Sequence, residues 1–215
     1  MNLKLYYAPT TCALVPYVNL TEAGADFEVE LINMRKKQQM TPEYMAINPK
    51  HKIPSLVVDG KPLTENVAIN AWIADAFPAA KLMPADRWDY MRALSLLSWC
   101  SGGIHPHLAR INGPAKHGGQ GEAGEASVRQ AAVEMALENF GVADQMLAGR
   151  EFFFDHYTAP DAHFFWCFRR AHEFKLDLAH LKNCQAHFDR MLARPSVQKV
   201  YAFEADVKAQ FAKAA

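Results

Sequence analysis

A chain of 215 residues is long enough for one large domain or for two smaller ones sharing an interface. Half of its residues are apolar and 21% are charged, with 23 Lys and Arg against 23 Asp and Glu, so the charge balance offers no attraction to nucleic acid or an anionic membrane. No apolar run approaches the roughly 20 residues that span a bilayer.

The first predicted element is a strand over residues 3–7, and this start lacks the basic, apolar and small-residue order of a secretory signal. Pro9 and two threonines break it. Residues 13–23 turn to helical spacing and stop at Gly24, a suitable helix terminator. Residues 27–32 alternate apolar and charged side chains, as a strand with one covered face does. A polar loop follows. Its basic run, Arg35-Lys36-Lys37, is too short for a nucleic-acid footprint. A brief helical turn is expected near Thr41-Pro42-Glu43-Tyr44. Residues 55–58 and 62–63 flank Asp59-Gly60, a hairpin signal, and residues 65–77 read as an amphipathic helix ended by Pro78.

This first part therefore reads β-α-β-α-β-β-α over residues 1–78, followed by a linker over 79–85. From Asp86 to the end, residues 86–215, the pattern is helix after helix. The expected fold class is a small α/β domain joined to an all-α domain. Residues 113–124, rich in glycine, are expected to form a mobile loop between two long helices. Thr158-Ala159-Pro160-Asp161 has the hydroxyl, the proline and the acid of a capped helix start, before the apolar run 162–168. Its expected role is folding.

The four cysteines, Cys12, Cys100, Cys167 and Cys184, are scattered, with neither CxxC nor metal-ligand spacing. That pattern suits free thiols in a reducing, cytoplasmic compartment and no metal site. Cys12 falls at a strand-to-helix junction, where the helix start favours thiolate, although most free cysteines are small buried apolar residues. The absence of a second cysteine at Val15 leaves monothiol chemistry only.

Pro54 either enters its strand through a cis bond, turning the Ile53 amide and carbonyl toward a ligand, or starts an edge strand in trans. Glu65-Asn66 opens a helix, where a ligand carboxylate could meet amide donors and its ammonium could meet Glu65. A plain capping acid is the simpler reading. Ser101-Gly102-Gly103-Ile104-His105-Pro106-His107 is a poor helix interior and predicts a kink or bulge. His105 there is either a site residue or a surface histidine beside a helix break.

Taken in order, these segments resemble the cytosolic glutathione transferase family over essentially the whole chain. The segments are Tyr6 to Leu14 with Cys12, Asn48-Pro49-Lys50-His51-Lys52-Ile53-Pro54, Leu63 to Ile69, the Thr158/Asp161 box and Arg194-Pro195-Ser196-Val197. The first and third are most like the bacterial beta class. The resemblance implies a thioredoxin-like first domain, a homodimer, and glutathione as co-substrate. Ile53, before a cis Pro54, would pair with the cysteinyl backbone of glutathione. Glu65 and Asn66 would hold its γ-glutamyl end, and Lys36 or its neighbours its glycine carboxylate, with Lys52 also among the glutathione-binding residues. Cys12 would lie beside the sulfur, Thr11 or Thr10 could share the activating role, and His105 matches a histidine that reaches that sulfur. The chain departs from the family's usual residues at Asn66, at His51-Lys52 and at Pro106.

The function implied is conjugation of the glutathione thiolate to a small apolar electrophile, bound in an apolar cleft against the helical domain. Trp99 and Phe168 are candidate cleft aromatics or core residues. Two other functions fit the same residues: glutathione-dependent disulfide exchange through Cys12, and a non-catalytic ligand carrier or scaffold.

Overall fold

The computed structural model describes residues 1–213. Its contacts divide the chain into two compact units: Met1–Ala85 together with the C-terminal segment from Ala193, and Asp86–Leu192. Of the helical region 86–215, the last helix therefore groups with the first unit.

The first unit is built on a four-stranded sheet ordered β2-β1-β3-β4, from β1 (Leu3–Tyr7), β2 (Glu28–Leu31), β3 (Ser55–Val58) and β4 (Lys61–Thr64). β2 runs parallel to β1, whereas β3 runs antiparallel to both β1 and β4. Asp59 and Gly60, both at positive φ, make the two-residue turn of the β3–β4 hairpin. Helices α1 (Leu14–Glu22), α2 (Pro42–Ile47) and α3 (Asn66–Ala76) complete the thioredoxin-like order expected. Thr41 caps α2, its Oγ1 accepting from the Tyr44 amide at 3.4 Å.

Alternation along β1 turns Leu3, Leu5 and Tyr7 into the core and leaves Lys4 and Tyr6 half-buried on the other face. Seven of the nine residues of α1 are buried, because the helix packs against both α3 and the last helix, α9 (Pro195–Lys213). Phe203 of α9 stacks on Tyr17 at 5.3 Å between ring centroids and meets Tyr7 edge-on at 5.4 Å. The start of α9 is fastened to the end of α1 by Arg194, which donates to both carboxylate oxygens of Glu22 at 2.9 and 2.7 Å, and by the Ser196 hydroxyl.

The second unit holds α4 (Arg87–Trp99), α5 (His105–Asn112), α6 (Gly121–Met146), α7 (Ala159–Glu173) and α8 (Lys182–Leu192). Between α4 and α5 the bulge expected from the glycines and Pro106 is a π-helical turn, Cys100–Ile104. Pro106 has no amide to donate, and the wider turn absorbs the break without ending the helical path. Gly103 is required there. A Cβ would lie 2.5 Å from the Trp99 ring, which is itself held by a 2.7 Å hydrogen bond from its indole to Asn139.

The glycine-rich stretch 113–124 is more structured than a loop: Pro114–His117 is a 3₁₀ turn and α6 already begins at Gly121. Gly119 allows this by close approach, since a Cβ on it would lie 2.8 Å from the Glu125 Cα.

Asp161 does more than cap α7. Its carboxylate accepts from the Thr158 amide at 2.8 Å and the Phe153 amide at 3.1 Å, and pairs with His187 Nε2 at 3.0 Å. One fully buried side chain thus gathers the loop before α7, the start of α7 and the middle of α8. Phe168 lies in the aromatic core of this unit, fully buried against Phe140, Phe164 and Phe188.

Candidate active site

Three chain segments of the first unit meet around Cys12. The loop from β1 to α1 carries Thr10, Thr11 and Cys12; the turn before β3 carries Ile53 and Pro54; the turn into α3 carries Glu65 and Asn66. The Ile53–Pro54 bond is cis. Cys12 Sγ lies 3.5 Å from the Ile53 carbonyl, and the Asn66 side-chain amide donates to the Cys12 carbonyl at 3.1 Å.

The loop is wound tightly on itself. The Thr11 hydroxyl donates to the Ala8 carbonyl at 2.7 Å and accepts from the Ala13 amide at 3.3 Å, so its proton is spent inside the loop. Thr10 stands at φ +67°, a left-handed conformation that costs a β-branched residue on the order of 1–3 kcal/mol. Its amide is held at 2.9 Å by Glu204 of α9, whose same oxygen accepts the Tyr7 hydroxyl at 2.6 Å.

Cys12 differs from the thiolate expected at a helix start. It is 7% exposed, and burial pushes its thiol up to about 12, with hydrogen bonds from the backbone and Asn66 offsetting only part of the shift. The α1 macrodipole loses to desolvation here, and the thiol stays protonated at neutral pH.

Asn66 is also spent differently from a ligand side chain. It is 6% exposed, its amide nitrogen is bound to Cys12, and its Oδ1 has no hydrogen-bond partner among the described residues. Its backbone amide lies in the first turn of α3, where a helix start has donors without intrahelical acceptors. The next turn is locked from below, Asn70 donating to the Asn66 carbonyl and Asn19 to Asn70 Oδ1, both at 2.7 Å.

Glu65 lies outside this buried network, at φ +74° and with an exposed carboxylate paired to Lys50, which also donates to Thr64 Oγ1 at 2.8 Å. Lys50 was not among the residues expected at the site. Its signal lies in the segment Asn48 to Lys52, which Asn48 folds by donating to the Lys52 carbonyl at 2.8 Å and accepting from the Lys50 amide at 3.1 Å. Lys52 itself is exposed and contributes its carbonyl to that fold. Lys36 lies in the exposed turn after β2, where its amide donates to Asn33 Oδ1 at 3.1 Å.

His105 belongs to the second unit. It is half-buried at the first position of α5, with its ring edge-on to Trp166 at 4.5 Å. Among the described residues no group of three His, Cys, Asp or Glu side chains could hold a metal ion, and no helix is long and apolar enough to cross a membrane.

Residues 1–75 match the family model described as the N-terminal domain of glutathione S-transferase. Over 208 residues the chain is 30% identical to the glutathione S-transferase GstA of Escherichia coli O157:H7, covering 94% of this chain and 98% of that one. Among solved structures, a glutathione S-transferase from Xylella fastidiosa superimposes with a TM-score of 0.89 at 25% identity, over 95% and 99% of the two chains. A sphingomonad glutathione S-transferase complexed with glutathione superimposes with a TM-score of 0.83 at 30% identity, over 94% and 98%. Bacterial glutathione S-transferases thus match this chain from end to end in sequence and in fold, and it belongs to the cytosolic glutathione S-transferase family, of the bacterial type.

Proposed function

We propose that this protein conjugates the thiolate of glutathione to a small apolar electrophile. The observation that carries the reading is the meeting of the Cys12 loop, the cis Ile53–Pro54 turn and the Glu65–Asn66 helix start in one unit.

In this reading the Ile53 backbone pairs with the cysteinyl part of glutathione. The Asn66 amide and the positive end of α3 take the γ-glutamyl carboxylate. The Glu65 carboxylate, paired with Lys50 in the structure, takes the ammonium as a second cationic partner. Lys36 and Lys52 are exposed cations suited to the glycine carboxylate. The sulfur comes to rest beside Cys12, at the start of α1.

A thiol with the ordinary pKa of about 8.5 is mostly protonated at pH 7, and each unit of depression is worth about 1.4 kcal/mol. The start of α1 supplies that depression to the ligand sulfur. The thiolate attacks the electrophilic carbon, a C–S bond forms, the leaving group departs with its electron pair, and the thiol proton passes to solvent. Holding the two reactants together supplies the rest of the acceleration. Thr11 keeps the loop in shape, and His105 is the proposed catalytic residue of the second unit. Because the Cys12 thiol is buried and protonated, the reacting sulfur in this proposal is glutathione's own. The proposal includes a cytoplasmic homodimer, which light scattering tests.

Titration calorimetry with glutathione on wild type and Glu65→Ala, with a conjugation assay on the same samples, tests the reading. The expected result is binding by wild type and at least about tenfold weaker binding by Glu65→Ala, the loss of one charged hydrogen-bonded contact. Wild type that neither binds nor conjugates glutathione overturns it.

A further inference from the structure

Glu204 is a buried carboxylate, 2% exposed, delivered to the site loop by a helix 194 residues further along the chain. One of its oxygens accepts both the Tyr7 hydroxyl, at 2.6 Å, and the Thr10 amide, at 2.9 Å. The other lies 3.9 Å from Lys208 Nζ, one turn along α9. The two donors bracket the end of β1 and the left-handed residue of the loop. On its far side the same loop is tied to α3 through Asn66 and the Cys12 carbonyl, and faces the cis turn through Cys12 Sγ.

Thr10 adopts a backbone conformation that β-branched residues seldom take, and such a residue persists only where its surroundings over-determine it. Glu204 supplies that determination. A single sp² oxygen has two lone pairs and can accept both donors, and a carboxylate oxygen excluded from water holds them more strongly than an uncharged one. Phe203, the preceding residue, packs on Tyr7 and Tyr17 and sets the register of α9 against the loop.

We propose that Glu204 is a positioning residue: from α9 it fixes the Thr10 backbone and so the placement of Thr11 and Cys12, where the glutathione sulfur is to rest. The inference rests on the function proposed above for its catalytic consequence, and on the geometry of the loop alone for its structural one. α9 is then part of the site's architecture, although none of its side chains need touch the ligand.

The test compares wild type, Glu204→Gln, Glu204→Ala and Arg194→Met. The last loosens the α9–α1 tie at Glu22 and leaves the loop's own contacts untouched. Two readouts are taken: alkylation of Cys12 by iodoacetamide without glutathione, followed by peptide mass, and kcat and KM for glutathione conjugation. Glu204→Ala should raise the Cys12 alkylation rate about tenfold or more, because the buried thiol becomes accessible. It should lower kcat about tenfold or more, with a smaller change in KM, as expected of a misplaced reactant. Glu204→Gln keeps a carbonyl oxygen for both donors and should stay within about threefold of wild type on both readouts. Arg194→Met, at a comparable loss of thermal stability, should leave Cys12 alkylation within about threefold.

Cys12 alkylation unchanged in Glu204→Ala overturns the proposal, as does the same rise in Arg194→Met. Loss in Glu204→Gln equal to that in Glu204→Ala overturns it too. Should Glu204→Ala fail to fold, Glu204→Asp, one methylene too short to reach both donors, takes its place with the same expected direction. A wild type without glutathione activity would end the functional reading and leave the alkylation result to decide this one.

Discussion

His163 of α7 gives a sharp prediction because its burial and its chemistry disagree. It is fully buried, and among the described residues neither ring nitrogen has a hydrogen-bond partner. Burial first, and the charge of nearby His105 second, push its pKa down to about 3. The folded protein therefore holds this imidazole neutral, while an unfolded histidine titrates near its ordinary value of about 6.5. As pH falls below that value the unfolded chain binds a proton that the folded chain refuses, so stability falls with it. For one such group the loss is about 0.2 kcal/mol at pH 7 and about 2 kcal/mol at pH 5. His163→Leu, similar in volume, removes the group that causes this. Urea unfolding of both proteins at pH 7, 6 and 5 measures it: the variant should lose about 2 kcal/mol less than wild type between the ends of that range. At pH 7 it should be more stable by about 1–3 kcal/mol, because a buried donor and acceptor are no longer left unpaired. Equal acid sensitivity of the two proteins, or a variant destabilised at pH 7, would refute the reasoning.

Asp161→Ala strips an acceptor from two buried amides and the His187 ring, and should cost about 3–5 kcal/mol, a fall in melting temperature of roughly 6–20 °C; a fall below about 3 °C would contradict the hub role. Burial alone would raise the Glu22 carboxyl, but Arg194 and Ser196 outweigh it and hold it below its ordinary value. Its contribution is therefore present above the unfolded carboxyl value of about 4.3 and is lost as pH falls through the lower folded one. The stability gap between wild type and Arg194→Met should accordingly narrow from pH 7 to pH 3 in urea titrations, and a constant gap would exclude this coupling. Cys12→Ala should keep at least about a tenth of the conjugating kcat, since its protonated thiol is not the nucleophile, whereas activity lost altogether would return the protein to disulfide exchange through Cys12.

The elements of the first unit were legible because each announces itself within a few residues. Leu3 to Tyr7 alternates, Asp59-Gly60 turns a hairpin, and Thr41-Pro42 starts a helix with its own cap. The same holds for Thr158 and Asp161, three positions apart and joined by the reciprocal bonds of a capping box. Local rules fail where the deciding partner is far away in sequence. Nothing near Thr10 indicates that Glu204 holds it, and nothing near Glu65 beyond the crowded 48–52 segment indicates Lys50. The glycines at 113–124 argued for a loop because glycine is read as freedom. At Gly119 it serves close approach instead, and the distinction lies in where Glu125 sits. Cys12 is the clearest case. Its place before α1 argues for thiolate, a helix-end effect of typically 0.3–1 kcal/mol. Its burial argues the other way, by a shift to about 12 that the Asn66 hydrogen bond offsets only in part. Sequence shows the helix end and hides the burial, so the smaller effect is the one that reads first. The amides of Thr11, Ala13, Leu14 and Val15 are already paired within the loop, so what this helix start has left for an entering anion is its dipole, and the function proposed here asks that dipole to act on a sulfur brought by a ligand rather than on the buried thiol of the chain.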